Sequence, residues 1–105
     1  MILKDKVAVI TGAGSGLGRA IALRFAEEGA RIVIAELNEA KGEETLRGVQ
    51  AKGVEAFAVP TDVSSSEAVA NLFKAIDDRG WPVDVMVNNA GNAGQLTPVH
   101  LMTDE

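Results

Sequence analysis

Thr11-Gly12-Ala13-Gly14-Ser15-Gly16-Leu17-Gly18 lies between an apolar run, Val7-Ala8-Val9-Ile10, and a helical pattern that starts at about Leu17. A strand that ends in a glycine-rich turn and opens a helix is suited to holding the phosphates of a dinucleotide. Glycines let the chain turn tightly and let backbone N–H groups approach a pyrophosphate with no Cβ in the way. The helix N-terminus adds unpaired N–H donors and about half a positive charge of dipole. The spacing departs from G-x-G-x-x-G, because position 19, where the third glycine would follow Gly14 and Gly16, is Arg19. It reads T-G-x-x-x-G-x-G, with Gly12, Gly16 and Gly18 in register and Gly14 additional. A plain glycine-rich loop is the alternative that this stretch alone leaves open. A P-loop phosphohydrolase is excluded, since no G-K-[ST] closes the loop. A receiver-type phosphoacceptor would need acids at the end of the first strand, where Thr11 and Gly12 stand.

Working outward, Val7 to Thr11 is apolar throughout, as a strand covered on both faces would be. The helix from about Leu17 to Glu28 is expected to bury Leu17, Ile21 and Phe25, with Arg24 at the edge of that stripe and Gly29 as its stop. Arg31 to Glu36 is a second, β-branched strand. Asn38 can cap a helix running to about Lys52, with Leu46 and Val49 one turn apart, although Gly42 and Gly48 weaken it. Val54 to Pro60 reads as a third strand. Ser64 and Glu67 form a capping box for a third helix whose apolar face is Val69, Leu72, Phe73 and Ile76. Gly80-Trp81-Pro82 breaks the chain, with Trp81 read as a packing residue, and Val83 to Asn88 is a fourth strand. Asn89 to Glu105 carries Gly91, Gly94 and Pro98 and reads as loop, with His100 a solvated residue within it; Thr103-Asp104-Glu105 resembles the start of a helix.

Strand and helix alternating three times before a fourth strand implies parallel pairing with right-handed crossovers. The expected fold is therefore α/β: a doubly wound, Rossmann-like parallel sheet with four strands in the order 3-2-1-4, half of a larger sheet. The fourth strand would then be an open edge that favours self-association.

The 105 residues make room for one domain, read as a partial dinucleotide-binding domain spanning the chain, and 47% of them are hydrophobic, enough for a core. The net charge is −5 and no basic run stands out, which argues against nucleic acid or anionic membrane as partners. With no cysteine and His100 as the one histidine, thiolate and His-rich metal sites are excluded. Lys4, Asp5 and Lys6 ahead of a short apolar run make neither a signal peptide nor a membrane span, so a cytoplasmic protein is expected.

Glu36 ends the second strand 18 residues beyond Gly18, where a carboxylate can accept both ribose hydroxyls of adenosine and repel a 2′-phosphate; a solvated acid at a strand end is the alternative. Asp62 and Val63 follow the third strand; for Asp62 a turn residue ahead of the cap and a binding residue are equally open readings. Asn88-Asn89-Ala90-Gly91 follows the fourth, where amide side chains can tie adjacent strand ends and the small Ala90 and Gly91 let backbone lie against a ribose; an Asx-rich turn is the alternative.

These four features, in this order and at these strand ends, resemble the short-chain dehydrogenase/reductase family over about Leu3 to Asn92. The resemblance implies cofactor contacts from Gly12, Gly14, Ser15, Gly16, Leu17, Gly18, Glu36, Asp62, Val63, Asn89, Ala90 and Gly91. It places Asp62 on the adenine amino group and Val63 against the ring. Members that prefer NADP often carry Arg or Lys at the places of Ser15 and Leu37; both are uncharged here, which agrees with NAD over NADP. The family's usual residue at position 36 is Asp, and Glu is one methylene longer, with Lys41 close in sequence.

The family's chemistry uses Ser, Tyr and Lys, the last two spaced Y-x-x-x-K, to pass a proton while hydride moves between the nicotinamide and an alcohol or carbonyl. This chain contains no tyrosine. The resemblance then implies no catalytic residue within the chain, which reads as the adenosine-binding N-terminal part of a longer, homo-oligomeric oxidoreductase. The rival reading is a non-catalytic dinucleotide-binding module.

Overall fold

A computed structural model describes residues 2–89 and the backbone of the strand Val99–Leu101. The elements are β1 (Val7–Thr11), α1 (Gly16–Glu27), β2 (Arg31–Glu36), α2 (Glu39–Gln50), β3 (Ala56–Pro60), α3 (Ser66–Asp78), β4 (Val85–Val87) and β5 (Val99–Leu101). The sheet order is β3-β2-β1-β4-β5. The first four strands are parallel in the expected order, with Val7 opposite Arg31, Ile32 opposite Ala56 and Ala8 opposite Val85.

The period of two along a strand divides the core into two layers. Ala8, Ile10, Ile32, Ile34, Val85 and Val87 face one way, packed with Ala22 and Ala26 of α1 and Val49 of α2. Val7, Val9, Val33, Ala35 and Phe57 face the other, under Leu72 and Ile76 of α3. All five residues of β1 are buried, which is why that strand reads as continuously apolar.

The face that α1 buries corrects the expectation. Gly18, Ala22 and Ala26 point to the sheet, Ile21 and Phe25 flank them half-buried, and Leu17 is 47% exposed. The reason is distance: a Cβ on Gly18 would lie 2.0 Å from the Gly12 carbonyl oxygen, so the helix approaches β1 along its smallest residues. Gly42 and Gly48 act in the same way in α2. A Cβ at Gly42 would press the Glu36 side chain at 3.3 Å and one at Gly48 would meet Leu23 Cδ2 at 3.1 Å, so lost helix propensity is offset by close packing. Arg19, which stands where the third glycine of G-x-G-x-x-G would be, bridges α1 to α2 by donating to Thr45 Oγ1 at 3.0 Å and pairing with Glu44.

Asn38 caps α2 as expected, accepting the Lys41 N–H at 3.0 Å. The cap of α3 is one residue later than expected: Ser65 accepts the Ala68 N–H at 3.1 Å, because Ser64 is engaged by Asp62. On the α3 face Leu72 and Ile76 are buried, whereas Phe73 is exposed. Trp81 packs edge-on against Phe57, with ring centroids 5.2 Å apart, and the Arg79 guanidinium stacks 3.8 Å from the Phe57 centroid.

β4 is shorter than the six residues expected. Asp84 stops it by substituting side chain for ladder: its Oδ2 accepts the Val7 N–H at 2.9 Å while its own N–H donates to the Val7 carbonyl at 3.0 Å. The loop expected from residue 89 onward is interrupted by β5, which pairs antiparallel with β4, Met86 opposite His100. β4 offers a row of unpaired N–H and C=O groups on its outer edge, and three residues suffice to occupy it. That overturns β4 as the open edge and His100 as a loop residue. The helix start at Thr103-Asp104-Glu105 lies outside the described residues.

Candidate functional site

The carboxyl ends of β1, β2, β3 and β4 surround a cleft of about 350 Å³ lined by Gly12, Ser15, Ala35, Glu36, Leu37, Thr61, Asp62, Val63 and Asn89. It is adjacent to the β1–β4 pairing, where the strand order reverses direction and doubly wound sheets open a crevice.

One wall is the glycine-rich turn. Gly12 (φ +63°) and Gly16 (φ +59°) adopt the left-handed conformation that a side chain would strain. Ser15 is the N-cap of α1 with extended backbone, and its hydroxyl makes no capping bond. The N–H groups of the first turn have no intrahelical acceptor, so this end of α1 presents donors and the positive end of its dipole. Gly16 and Leu17 are exposed there, while Gly18 is buried behind the turn. A Cβ on Gly18 would also come within 2.6 Å of Asn89 Nδ2.

The opposite wall is the end of β2. The half-buried Glu36 carboxylate accepts two backbone N–H groups, Oε1 from Gly14 at 2.8 Å and Oε2 from Asn38 at 2.9 Å. The third wall follows β3. Asp62 Oδ1 accepts from the Ser64 hydroxyl at 2.6 Å and the Ser64 N–H at 2.9 Å, the turn geometry that was one of the two open readings of this residue. Those hydrogen bonds, the hydroxyl's first, hold the exposed Asp62 carboxyl below its ordinary value. Both fall on Oδ1. Val63 is 40% and Leu37 67% exposed, two apolar side chains open to solvent beside the cleft.

Asn89 forms the floor. Its N–H donates to Thr11 Oγ1 at 2.8 Å and its Nδ2 to the Gly12 carbonyl at 3.3 Å, while the Thr11 hydroxyl donates to the Val87 carbonyl at 3.3 Å. The expected tie between adjacent strand ends is therefore made by Asn89, and Asn88 is exposed.

Of the residues singled out from the sequence, Gly12, Ser15, Glu36, Asp62, Val63 and Asn89 line the cleft, and Gly14, Gly16, Leu17 and Gly18 form its turn and helix start. Ala90 and Gly91 lie outside the described residues. The sequence reading missed Thr61, Ala35 and Thr11. Thr61 is buried, donates its N–H to the Glu36 carbonyl at 3.2 Å and its hydroxyl to the Val59 carbonyl at 2.9 Å, and so joins the ends of β2 and β3. Its position one residue before Asp62, at a strand end, was the available signal. Among the described residues no group of His, Cys, Asp and Glu is arranged to hold a metal ion.

A family model described as short chain dehydrogenase matches residues 6–105. The chain belongs to the short-chain dehydrogenase family. It is 38% identical over 101 residues to a 3beta-hydroxysteroid dehydrogenase of Mediterraneibacter gnavus, covering 96% of this chain and 37% of that protein. Its fold superposes on an NAD+-bound xylitol dehydrogenase with a TM-score of 0.82 at 40% identity, covering 90% of this chain and 36% of the other. The L-sorbose reductase of Gluconobacter frateurii, solved with NADPH and L-sorbose, superposes equally well, with a TM-score of 0.82 at 40% identity over 86% of this chain and 35% of that one. The chain thus spans little more than a third of the length of these short-chain dehydrogenase relatives. Structures with NAD and with NADPH both occur among them, so the likeness does not distinguish the two cofactors. No helix among the described residues is long and apolar enough to cross a membrane.

Proposed function

We propose that this chain is the dinucleotide-binding part of a cytoplasmic, homo-oligomeric short-chain oxidoreductase that moves hydride between NAD and an alcohol or carbonyl substrate, with NAD preferred over NADP. The observation that carries the preference is the Glu36 carboxylate, fixed by two backbone donors at the lip of the cleft facing the glycine-rich turn. The cleft fits such a cofactor in shape and charge: a glycine-lined turn, a helix start with open N–H donors, and a carboxylate at the end of β2.

In this reading the first-turn N–H groups of α1, from Gly16 and Leu17, take the pyrophosphate. Glu36 accepts the adenosine ribose hydroxyls and opposes a 2′-phosphate. Val63 lies against the adenine, and Asp62, with Oδ1 engaged in its turn, accepts the adenine amino group on the remaining oxygen. Asn89 holds the ends of β1 and β4 together. The bound nicotinamide supplies the hydride acceptor or donor. The proton is handled by the family's Ser, Tyr and Lys, which lie outside these 105 residues; the chain has no tyrosine.

Titration calorimetry with NAD and NADP tests the reading. NAD is expected to bind more tightly, and Glu36→Ala to narrow the ratio by the value of a charged hydrogen bond, about 1.5–3 kcal/mol. An unchanged ratio would make Glu36 a surface acid.

A further inference from the structure

The turn contains four glycines, and three have evident structural causes. Gly12 and Gly16 have left-handed backbone, and Gly18 touches the backbone of Gly12. Gly14 has neither cause. It lies outside the left-handed region, so an alanine would meet no backbone strain there. The three atoms nearest to a Cβ at Gly14 all belong to Glu36: Oε1 at 2.6 Å, Cδ at 2.7 Å and Cγ at 2.8 Å. What the missing Cβ leaves room for is the Glu36 side chain.

We infer that Gly14 is a specificity-determining positioning residue, whose missing side chain seats the Glu36 carboxylate where it selects NAD over NADP. The inference rests on the proposed dinucleotide reading. Glu36 is held on three sides. The Gly14 N–H donates to Oε1 and the Asn38 N–H to Oε2, one from each lip of the cleft, and Gly42 leaves space beneath its Cβ. Backbone donors do not swing away as side-chain donors can, so the carboxylate is pre-organised. Each oxygen retains a lone pair to accept one of two adjacent ribose hydroxyls. A charge held in that place also opposes a 2′-phosphate that a free carboxylate could avoid by rotating outward. The length of glutamate is part of the fit: aspartate, one methylene shorter, draws the carboxylate back from the Gly14 N–H. Glycine at 14 and glutamate at 36 are a matched pair, 22 residues apart in the chain.

The test is a double-mutant cycle, with NAD and NADP affinities measured by calorimetry for the wild-type chain, Gly14→Ala, Glu36→Asp and the double variant. A Cβ at Gly14 displaces the end of a flexible side chain, so Gly14→Ala is expected to keep the wild-type far-ultraviolet circular dichroism. Its NAD-to-NADP preference is expected to fall by about tenfold or more, in keeping with the displacement of a charge-assisted contact. In the Glu36→Asp background the same alanine is expected to change the ratio less than about threefold, because the shorter side chain no longer occupies that space. Equal losses in both backgrounds, or a folded Gly14→Ala with an unmoved ratio, would overturn the inference alone. So would a Gly14→Ala that does not fold, since the Cβ would then be meeting backbone. A wild-type chain that binds neither dinucleotide would remove the functional reading and the inference together.

Discussion

Gly14 and Gly18 are both buried in the turn, yet alanine should act on them in opposite ways. At Gly18 the added carbon meets the Gly12 carbonyl and the Asn89 amide, atoms held by the sheet. Gly18→Ala must push α1 away from β1, and overpacking of this kind costs about 1–3 kcal/mol or more. Urea denaturation should show a clearly lowered midpoint, and a midpoint equal to wild type would mean that the helix yields freely. Asp62 supplies a pH prediction. Its folded carboxyl is depressed by the Ser64 hydroxyl and N–H, so its contribution to stability is complete above the ordinary value of 3.8 and is lost as pH falls through the lower folded value. Ser64→Ala should raise the Asp62 carboxyl toward 3.8 in an NMR titration. No upward movement would remove the hydroxyl as the main cause.

Elements in this fold are joined as much by side chains at strand ends as by the ladder. The start of β4 is fastened to β1 by the Asp84 carboxylate on the Val7 N–H, and Val7 is fully buried. Asp84→Ala leaves that donor without its acceptor, at a cost of about 1–3 kcal/mol. Asp84→Asn keeps an oxygen acceptor and should lose less. Denaturant midpoints, with amide exchange followed at Val7, measure both. Equal midpoints for Asp84→Ala and wild type, with Val7 still protected, would show that the ladder alone holds the junction. At the other end of the same strands, Asn89, Thr11 and Gly12 make the corresponding tie. β4 is therefore clamped to β1 at both ends, and a strand of three residues suffices between the clamps.

At the scale of the molecule, parallel pairing brings the carboxyl ends of four strands to one edge, and the loops that follow them form the cleft. The net charge of −5 offers no general attraction for an anionic dinucleotide. In the proposed reading, affinity for it comes from the local donors at the start of α1. The 105-residue chain should bind NAD and yet show no alcohol-dependent NADH formation above a Gly16→Trp control, because it contains no tyrosine to serve as the family's acid–base group. Turnover by the tag-free chain would show that another group carries the proton.

Much of this protein was settled by neighbours in sequence. The apolar run Val7–Thr11, the glycines that follow it, Asn38 ahead of α2 and the spacing from Gly18 to Glu36 express local preferences that set the strand, the turn and the helix cap, and the alternation of strands with helices then implied the parallel order. Contacts between distant residues were settled only by packing. The sheet-facing side of α1 was legible as a pattern of large apolar residues, but contact between Gly18 and Gly12 turned its small residues inward instead. β5 is three residues long, too short for periodicity, and exists because β4 had an edge to pair. The cap of α3 moved by one residue because Asp62 had engaged Ser64. Gly14 shows the division most plainly: the sequence marked it as one glycine too many, and the reason for it is a side chain that only the pairing of β1 with β2 brings alongside.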